Sequence, residues 1–205
     1  MKGYMDFIVE PLDGRYNSTM SVGDTELILN TELQNHNYVN RIGTVLQVPY
    51  FNETEIEIGD LVIVHHNIFR RFRDIRGTEK NSKSYYEEDK YFVQPDQLYG
   101  YSKKDSKSKK NIWFACKGFN FVSPIKETKM LTTKFEKPLV GVLTIKDKNL
   151  IGVEQGDLVG FTPSSEYEFM IGTERVYRVP TNSITIKYEY KGDEKKYNPS
   201  WAQGG

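Results

Sequence analysis

Residues 67–76, NIFRRFRDIR, interleave four arginines with two phenylalanines. Guanidinium groups can pair with phosphates and phenylalanine rings can stack on bases, so the spacing suits a nucleic-acid platform. The same residues also suit a projecting hairpin whose arginines pair with acids close by, namely Glu79, Glu87, Glu88 and Asp89. Lys+Arg and Asp+Glu both total 28. With no net positive charge to draw in a polyanion, the hairpin reading is preferred and nucleic acid is not expected as a partner. Beside this run stands Val64-His65-His66-Asn67, which invites a metal. Strand geometry would send His65 and His66 to opposite faces. His36 and Cys116 lie far along the chain, and no zinc-type spacing exists, so no metal is expected. There is no phosphate-binding Gly-rich loop and no Gly-x-Ser-x-Gly elbow. Asp60 and Asp157 each follow a glycine, where turn hydrogen bonding accounts for them. Neither catalytic residues nor a cofactor are expected, and the chain does not read as an enzyme.

A different kind of chemistry is offered by TELILNTEL, residues 25–33. Three large aliphatics, Leu27, Ile28 and Leu29, sit within a polar stretch from Gly14 to Asn40 rich in Asn, Ser, Thr, Gly and Asp. That composition reads as a surface loop, and one this long is usually functional or disordered. Either Glu26 to Asn30 form a short strand under the protein, or the segment is a mobile arm that carries a hydrophobic anchor.

The elements that must hold these features are short and β-branched. DFIVEP, IGTVLQVPYF, DLVIVHH, KYFVQP, LVGVLTI, DLVGF, VYRVP and SITIKYEY read as strands punctuated by Pro, Gly and Asn. No window sustains a 3.6-residue period. The expected class is all-β. At 205 residues, 38% hydrophobic, the chain can fold one large or two small domains. Its one cysteine excludes an intramolecular disulfide framework and fits a reducing compartment. MKGYMDFIVEP lacks the apolar run of a signal peptide, and no stretch is long enough to span a bilayer. A cytoplasmic protein without a membrane partner is expected.

The chain also repeats itself. Phe7-Ile8-Val9-Glu10-Pro11-Leu12 is answered by Phe121-Val122-Ser123-Pro124-Ile125. After a loop, Gly43-Thr44-Val45-Leu46 is answered by Gly141-Val142-Leu143. Ile56 to Val62, IEIGDLV, matches Val153 to Val159, VEQGDLV. Tyr91-Phe92-Val93 and Asp96-Gln97-Leu98 match Tyr177-Arg178-Val179 and Asn182-Ser183-Ile184. Each half thus has about five strands and one Gly-Asp turn, suited to a small β-barrel. Residues 102–111, SKKDSKSKKN, read as a solvated linker or hairpin tip. The expected division is 1–101, with a loop at 14–40 and a projecting hairpin at 66–90, then a linker at 102–111, a second barrel at 112–190 and a tail at 191–205. In the second half the first loop is shorter, Lys126 to Pro138. Trp201 in the tail could anchor it to a neighbour, or the tail could be disordered.

The order of these segments resembles the chaperonin-10 (GroES-like) co-chaperonin family: a strand ending in Pro-Leu, a long loop with an aliphatic tripeptide, Gly-x-Val-Leu-x-Val, a turn into Ile-Gly-Asp-Leu-Val-Ile-Val, and a closing Phe-Val-x-x-Asp-x-Leu. The resemblance covers residues 6–101 well and 119–190 more loosely. It implies two tandem small GroES-like β-barrels, the first with a long mobile loop, in a homo-oligomeric ring that caps a chaperonin ring over client proteins. Leu27, Ile28 and Leu29 match the tripeptide that docks between two helices of the chaperonin. Burial of three such side chains is worth about 4–9 kcal/mol, and ordering the loop offsets much of it. One loop then binds reversibly, and several on one ring bind tightly through effective concentration. Arg70, Arg71, Phe72 and Arg73 would lie on the dome-side hairpin, facing the cage or neighbouring subunits. The chain departs from the family in having two barrels, and Gly23-Asp24-Thr25-Glu26 in place of the usual Gly-Gly before the tripeptide. Its Tyr- and Asn-rich divergence is similar to that of phage-encoded members, which act in the host cytoplasm. Ring assembly would pair the first strand of one barrel with the last of its neighbour. The alternative is a structural phage virion or assembly protein built from twin barrels, with the loop latching a neighbouring subunit.

Overall fold

Short β-branched runs between Gly, Pro and Asn become strands because branched side chains pack well on a pleated surface and glycine or proline breaks each run. The computed structural model describes residues 3–12, 14, 19–28, 41–51, 53–105, 110–126, 136–189 and 192. Its regular structure is β-strand and two short 3-10 turns, with no α-helix among the described residues. No helix there is long and apolar enough to cross a membrane. The chain divides into two compact units between Trp113 and Phe114.

The first unit holds β1 (Phe7–Pro11), β2 (Thr19–Val22), β3 (Thr25–Ile28), β4 (Ile42–Gln47), β5 (Leu61–Val64), β6 (Arg71–Arg73), β7 (Glu79–Asn81), β8 (Tyr85–Glu87), β9 (Lys90–Val93), β10 (Leu98–Lys104) and β11 (Asn111–Ala115). Seven of them form one sheet in the order β11-β10-β5-β4-β1-β9-β8, while β2-β3 and β6-β7 are separate two-stranded ribbons. The second unit holds β12 (Phe119–Lys126), β13 (Glu136–Ile145), β14 (Leu158–Phe161), β15 (Tyr167–Ile171), β16 (Glu174–Pro180) and β17 (Ile184–Lys187), ordered β15-β16-β12-β13-β14-β17. Reversed, that order reproduces six strands of the first sheet, from β10 to β8, and leaves β11 without a counterpart.

The repetition reaches the register. Ile8 faces Gln47 and Val9 faces Val45 across a bulge. Phe121 faces Ile145 and Val122 faces Leu143 across the same irregularity. Pro11 faces Gly43, and Pro124 faces Gly141. The correspondence therefore runs through the two prolines, with Phe121 standing at the place of Ile8. Tyr91 pairs with Val9 as Tyr177 does with Val122. The Gly-Asp turns coincide as well. Asp60 Oδ2 accepts from Glu57 N at 2.7 Å, and Asp157 Oδ2 from Glu154 N at 2.7 Å. Gly59 N donates to Val45 O at 2.8 Å, and Gly156 N to Leu143 O at 2.8 Å. Even the entry into the short 3-10 turns matches: His65 N donates to Gln97 O, and Thr162 N to Ser183 O.

Gly59 and Gly156 have φ of +90° and +99°, and a Cβ built on either meets no other atom within 4 Å. Alanine there carries a purely backbone penalty. Gly59→Ala and Gly156→Ala should each cost about 1–2 kcal/mol, read from urea midpoints at constant slope.

Each unit has its own core. In the first, Val9, Val45, Val62, Ile63, Val64, Ile68, Phe69, Tyr91 and Val93 are buried, with Phe69 edge-on to Tyr91 at 5.0 Å. In the second, Val122, Leu143, Val153, Val159, Phe161 and Val179 form the main cluster.

The all-β class holds, as sheets of antiparallel strands in which no ladder among the described residues joins β8 to β11 or β15 to β17. Other expectations need correcting. The first strand, β1, lies between β4 and β9 and offers no edge to a neighbouring subunit. Residues 102–111 are not a linker throughout: Ser102–Lys104 complete β10, Asn111 opens β11, and Asp105 N donates to Lys110 O at 2.9 Å. Asn111–Ala115 therefore belong beside β10 and do not start the second barrel. Residues 106–109, the shorter loop of the second unit at 127–135, and Trp201 in the tail lie outside the described residues.

Candidate functional site

Two sheets with one register make the differences between them informative. Between β5 and β8 the first unit inserts residues 65–84, whereas Thr162 to Glu166 suffice to connect β14 and β15. Between β1 and β4 it inserts residues 12–41, against 127–135 in the second unit. The extra chain of the first unit is where function is sought.

The first insertion is more ordered than a loop. Thr19–Val22 and Thr25–Ile28 form an antiparallel ribbon in which Met20 lies opposite Leu27 and Thr19 opposite Ile28. Gly23-Asp24 make the two-residue turn, with Gly23 at φ 60°, as the first central position of a II′ turn requires. Ser21 to Thr25 are exposed, Val22 by half. Leu27 and Ile28 therefore sit on a strand. Leu29 and His36 lie outside the described residues. The composition of 14–40 concealed the ribbon, although Thr-Met-Ser-Val-Gly-Asp-Thr-Glu-Leu-Ile, with a Gly-Asp pair between two β-capable runs, carries the hairpin signal.

The second insertion, expected as one hairpin over 66–90, is two features. Arg71–Arg73 pair with Glu79–Asn81, and Tyr85–Glu87 join the main sheet beside β9. At the tip Asp74 Oδ1 accepts from Arg76 N at 2.9 Å and Thr78 N at 3.0 Å. Arg71 pairs with Glu79 at 2.9 Å, and Arg70 lies over the Phe72 ring at 5.7 Å. Glu87 pairs with Lys90 rather than with an arginine. Arg73 is held in β6. Of the expected acids Glu79 is thus held by Arg71, and Phe72 and Ile75 remain exposed.

The histidines also depart from the strand argument. β5 ends at Val64, and Ile68 N donates to His65 O at 3.0 Å, closing a turn. The imidazoles consequently stack, centroids 4.0 Å apart at 29°, instead of facing opposite ways. His65 Nδ1 accepts from Asn67 N at 3.2 Å. No group of three metal-binding side chains occurs among the described residues.

Composition gave no warning of an aromatic surface on the first unit. Tyr4 and Phe51 meet edge-on at 4.8 Å and Tyr50 and Phe51 edge-on at 5.8 Å, while Tyr86 and Phe92 lie tilted at 4.8 Å. Tyr50 is 73% and Phe51 61% exposed. Rings massed in water on this scale usually mark a contact surface. A period-2 reading of β9, with Phe92 between buried Tyr91 and Val93, is the one sequence signal that points there.

In the second unit the polar clusters are closed on themselves. Arg175 bridges Glu136 at 2.6 Å and Glu168 at 2.8 Å, and Tyr177 Oη donates to Glu136 at 2.6 Å. Asp147 Oδ2 accepts from Gly118 N and the Thr181 hydroxyl, both at 2.8 Å, and Oδ1 accepts from Asn149 N and Nδ2 at 3.0 Å. Burial, with the Asp147 charge beside it, pushes the Cys116 thiol up to about 12, so it stays protonated at neutral pH. These groups hold structure; none is arranged as a nucleophile with its base. No protein-family model matches the chain, and no curated protein matches it.

Proposed function

We propose that this chain is a tandem co-chaperonin-like binding module, two GroES-like barrels of which the first docks on a chaperonin ring through Leu27, Ile28 and Leu29. The observation that carries the reading is the asymmetry of two otherwise register-matched units: the long insertion of the first unit raises a ribbon with an exposed tip, and the aliphatic run begins on its second strand. A ribbon already formed has less conformational entropy to lose on docking than an open loop of the same length. Several such ribbons on a homo-oligomeric ring would hold a partner through effective concentration while each contact stays weak. The module performs no chemistry itself; nucleotide hydrolysis and client folding belong to the chaperonin, in the cytoplasm.

Co-sedimentation with a bacterial chaperonin, with and without ATP, tests this. Wild type should pellet with the ring in the presence of nucleotide, and a variant with Leu27, Ile28 and Leu29 all changed to Ser should lose that association while remaining folded. Equal pelleting of both proteins would remove the docking role from these residues.

The second reading, a structural virion or assembly protein, is favoured by the aromatic surface at Tyr4, Tyr50, Phe51, Tyr86 and Phe92, which an assembly would cover. It requires co-purification with particles and no response to nucleotide.

A further inference from the structure

The second insertion does more than project. Where the β5–β6 turn meets the segment after β7, a pocket of about 360 Å³ opens, walled by His65, Asn67, Arg70, Ser82, Lys83 and Gln97, with Phe72 at its side. The walls are cationic or neutral, and no Asp or Glu lines it. The backbone fixes the walls: Arg70 O accepts from Ser82 N at 3.1 Å, the Ser82 hydroxyl donates to Ile68 O at 2.5 Å, and Gln97 O accepts from His65 N at 2.9 Å.

Its donors point to a ligand. Arg70 and Lys83 form no ion pair among the described residues. This distinguishes Arg70 from Arg71 next to it, which Glu79 neutralises. The second unit, with the same sheet and only Thr162 to Glu166 at this point, builds no counterpart to the insertion.

We propose that this pocket binds an oxyanion, the phosphate or carboxylate group of a ligand, held by Arg70 and Lys83. Charge-assisted hydrogen bonds from two cations to one shared anion offset the repulsion between the cations themselves. The volume exceeds what one oxyanion fills, so the ligand has a body, and Phe72 offers it a face. The proposal does not depend on the chaperonin reading.

The test is a titration of the intact protein with inorganic phosphate and, separately, with acetate, at constant ionic strength set by chloride. Amide and Arg70 Nε–H resonances are followed. Saturable shifts confined to residues 65–72, 82–84 and 97 are expected with at least one of the two anions. Phosphate alone would identify a phosphoryl ligand, and acetate a carboxylate. Arg70→Gln and Lys83→Gln should each weaken binding at least about fivefold, as loss of one charged hydrogen bond predicts. Lys117→Gln, an exposed lysine of the other unit, should change nothing. Lys83 is exposed, so its variant folds whatever Arg70→Gln does. No saturable shift with either anion, or the same affinity in Lys83→Gln as in wild type, overturns the proposal.

Discussion

Gly141→Ala should destabilise the second unit by about 3 kcal/mol or more, and Gly43→Ala should do the same to the first. A Cβ on Gly141 would stand 2.5 Å from Ser123 O and 2.6 Å from Val122 Cγ1. On Gly43 it would stand 2.4 Å from Val9 Cγ1, 2.6 Å from Glu10 O and 2.9 Å from Phe69 Cζ. A side-chain tip can swing aside, whereas a carbonyl in the middle of a ladder cannot move without breaking its strand. Both glycines lie opposite a proline on the neighbouring strand, at the centre of their sheets. Urea unfolding followed by circular dichroism gives the loss. Peptide-resolved hydrogen exchange assigns it, because the amides of β12, β13 and β14 should lose protection in Gly141→Ala. If Gly141→Ala lies within 1 kcal/mol of wild type, the register between β12 and β13 is not the one described.

Asp147→Ala should cost the second unit about 3 kcal/mol. It strips acceptors from Gly118 N, Thr181 Oγ1, Asn149 N and Asn149 Nδ2 at a residue that is 2% exposed. The network also ties in Asn120, whose Oδ1 accepts from Asp147 N at 2.8 Å and whose Nδ2 donates to Thr181 at 3.0 Å. The register places Phe7, Pro49 and Pro95 at the corresponding corner of the first unit, so that corner holds by packing and ring rigidity without a charge. This yields a pH dependence. Burial pushes the Asp147 carboxyl upward, but hydrogen bonds from the Asn149 and Gly118 backbone outweigh it and hold it below the usual carboxylate range. Asp157 is lowered too, by the Glu154 backbone N–H and then by Lys187. A carboxyl depressed in the folded state contributes stability that is complete above its unfolded value near 4 and is lost as pH falls through its folded value. Below about pH 4 hydrogen exchange should therefore accelerate around the Asp147 corner. Asp147→Asn should flatten that response, and an unchanged acid profile in this variant would show that the carboxylate is not the source.

The strands and their duplication were legible because they rest on local patterns: DLVIVHH and DLVGF, or IEIGDLV and VEQGDLV, need no knowledge of the rest of the chain. The match between Tyr91-Phe92-Val93 and Tyr177-Arg178-Val179 agrees with the ladder residue for residue. What escaped depended on partners far away in sequence. Asn111–Ala115 looked like the start of a second domain because nothing local says that it pairs backward across a lysine-rich tip. Thr19–Val22 was lost to its polar composition, since a two-stranded ribbon standing in water needs no hydrophobic alternation. The pocket behind Arg70 was invisible for a related reason: Gln97 reaches it only because the ladder brings β5 beside β10, and Lys83 only because Ser82 N bonds Arg70 O. The histidine stack escaped because the alternation argument was carried two residues past the end of β5.

The duplicated register also bears on how the chain is made. Two sheets with corresponding strands invite exchange, with β17 taking the place of β10 or β12 that of β1 while both are unfolded. Each main sheet, however, draws its pairs from its own side of the division at Trp113 and Phe114, with β11 alone running across it. At about 5–20 residues per second, the roughly 90 residues after Trp113 take on the order of 5–20 s to emerge from a ribosome. Small β-domains fold in milliseconds to seconds. The first sheet can therefore close before its imitators exist, so the hazard belongs to refolding from denaturant, where all of the strands are released at once.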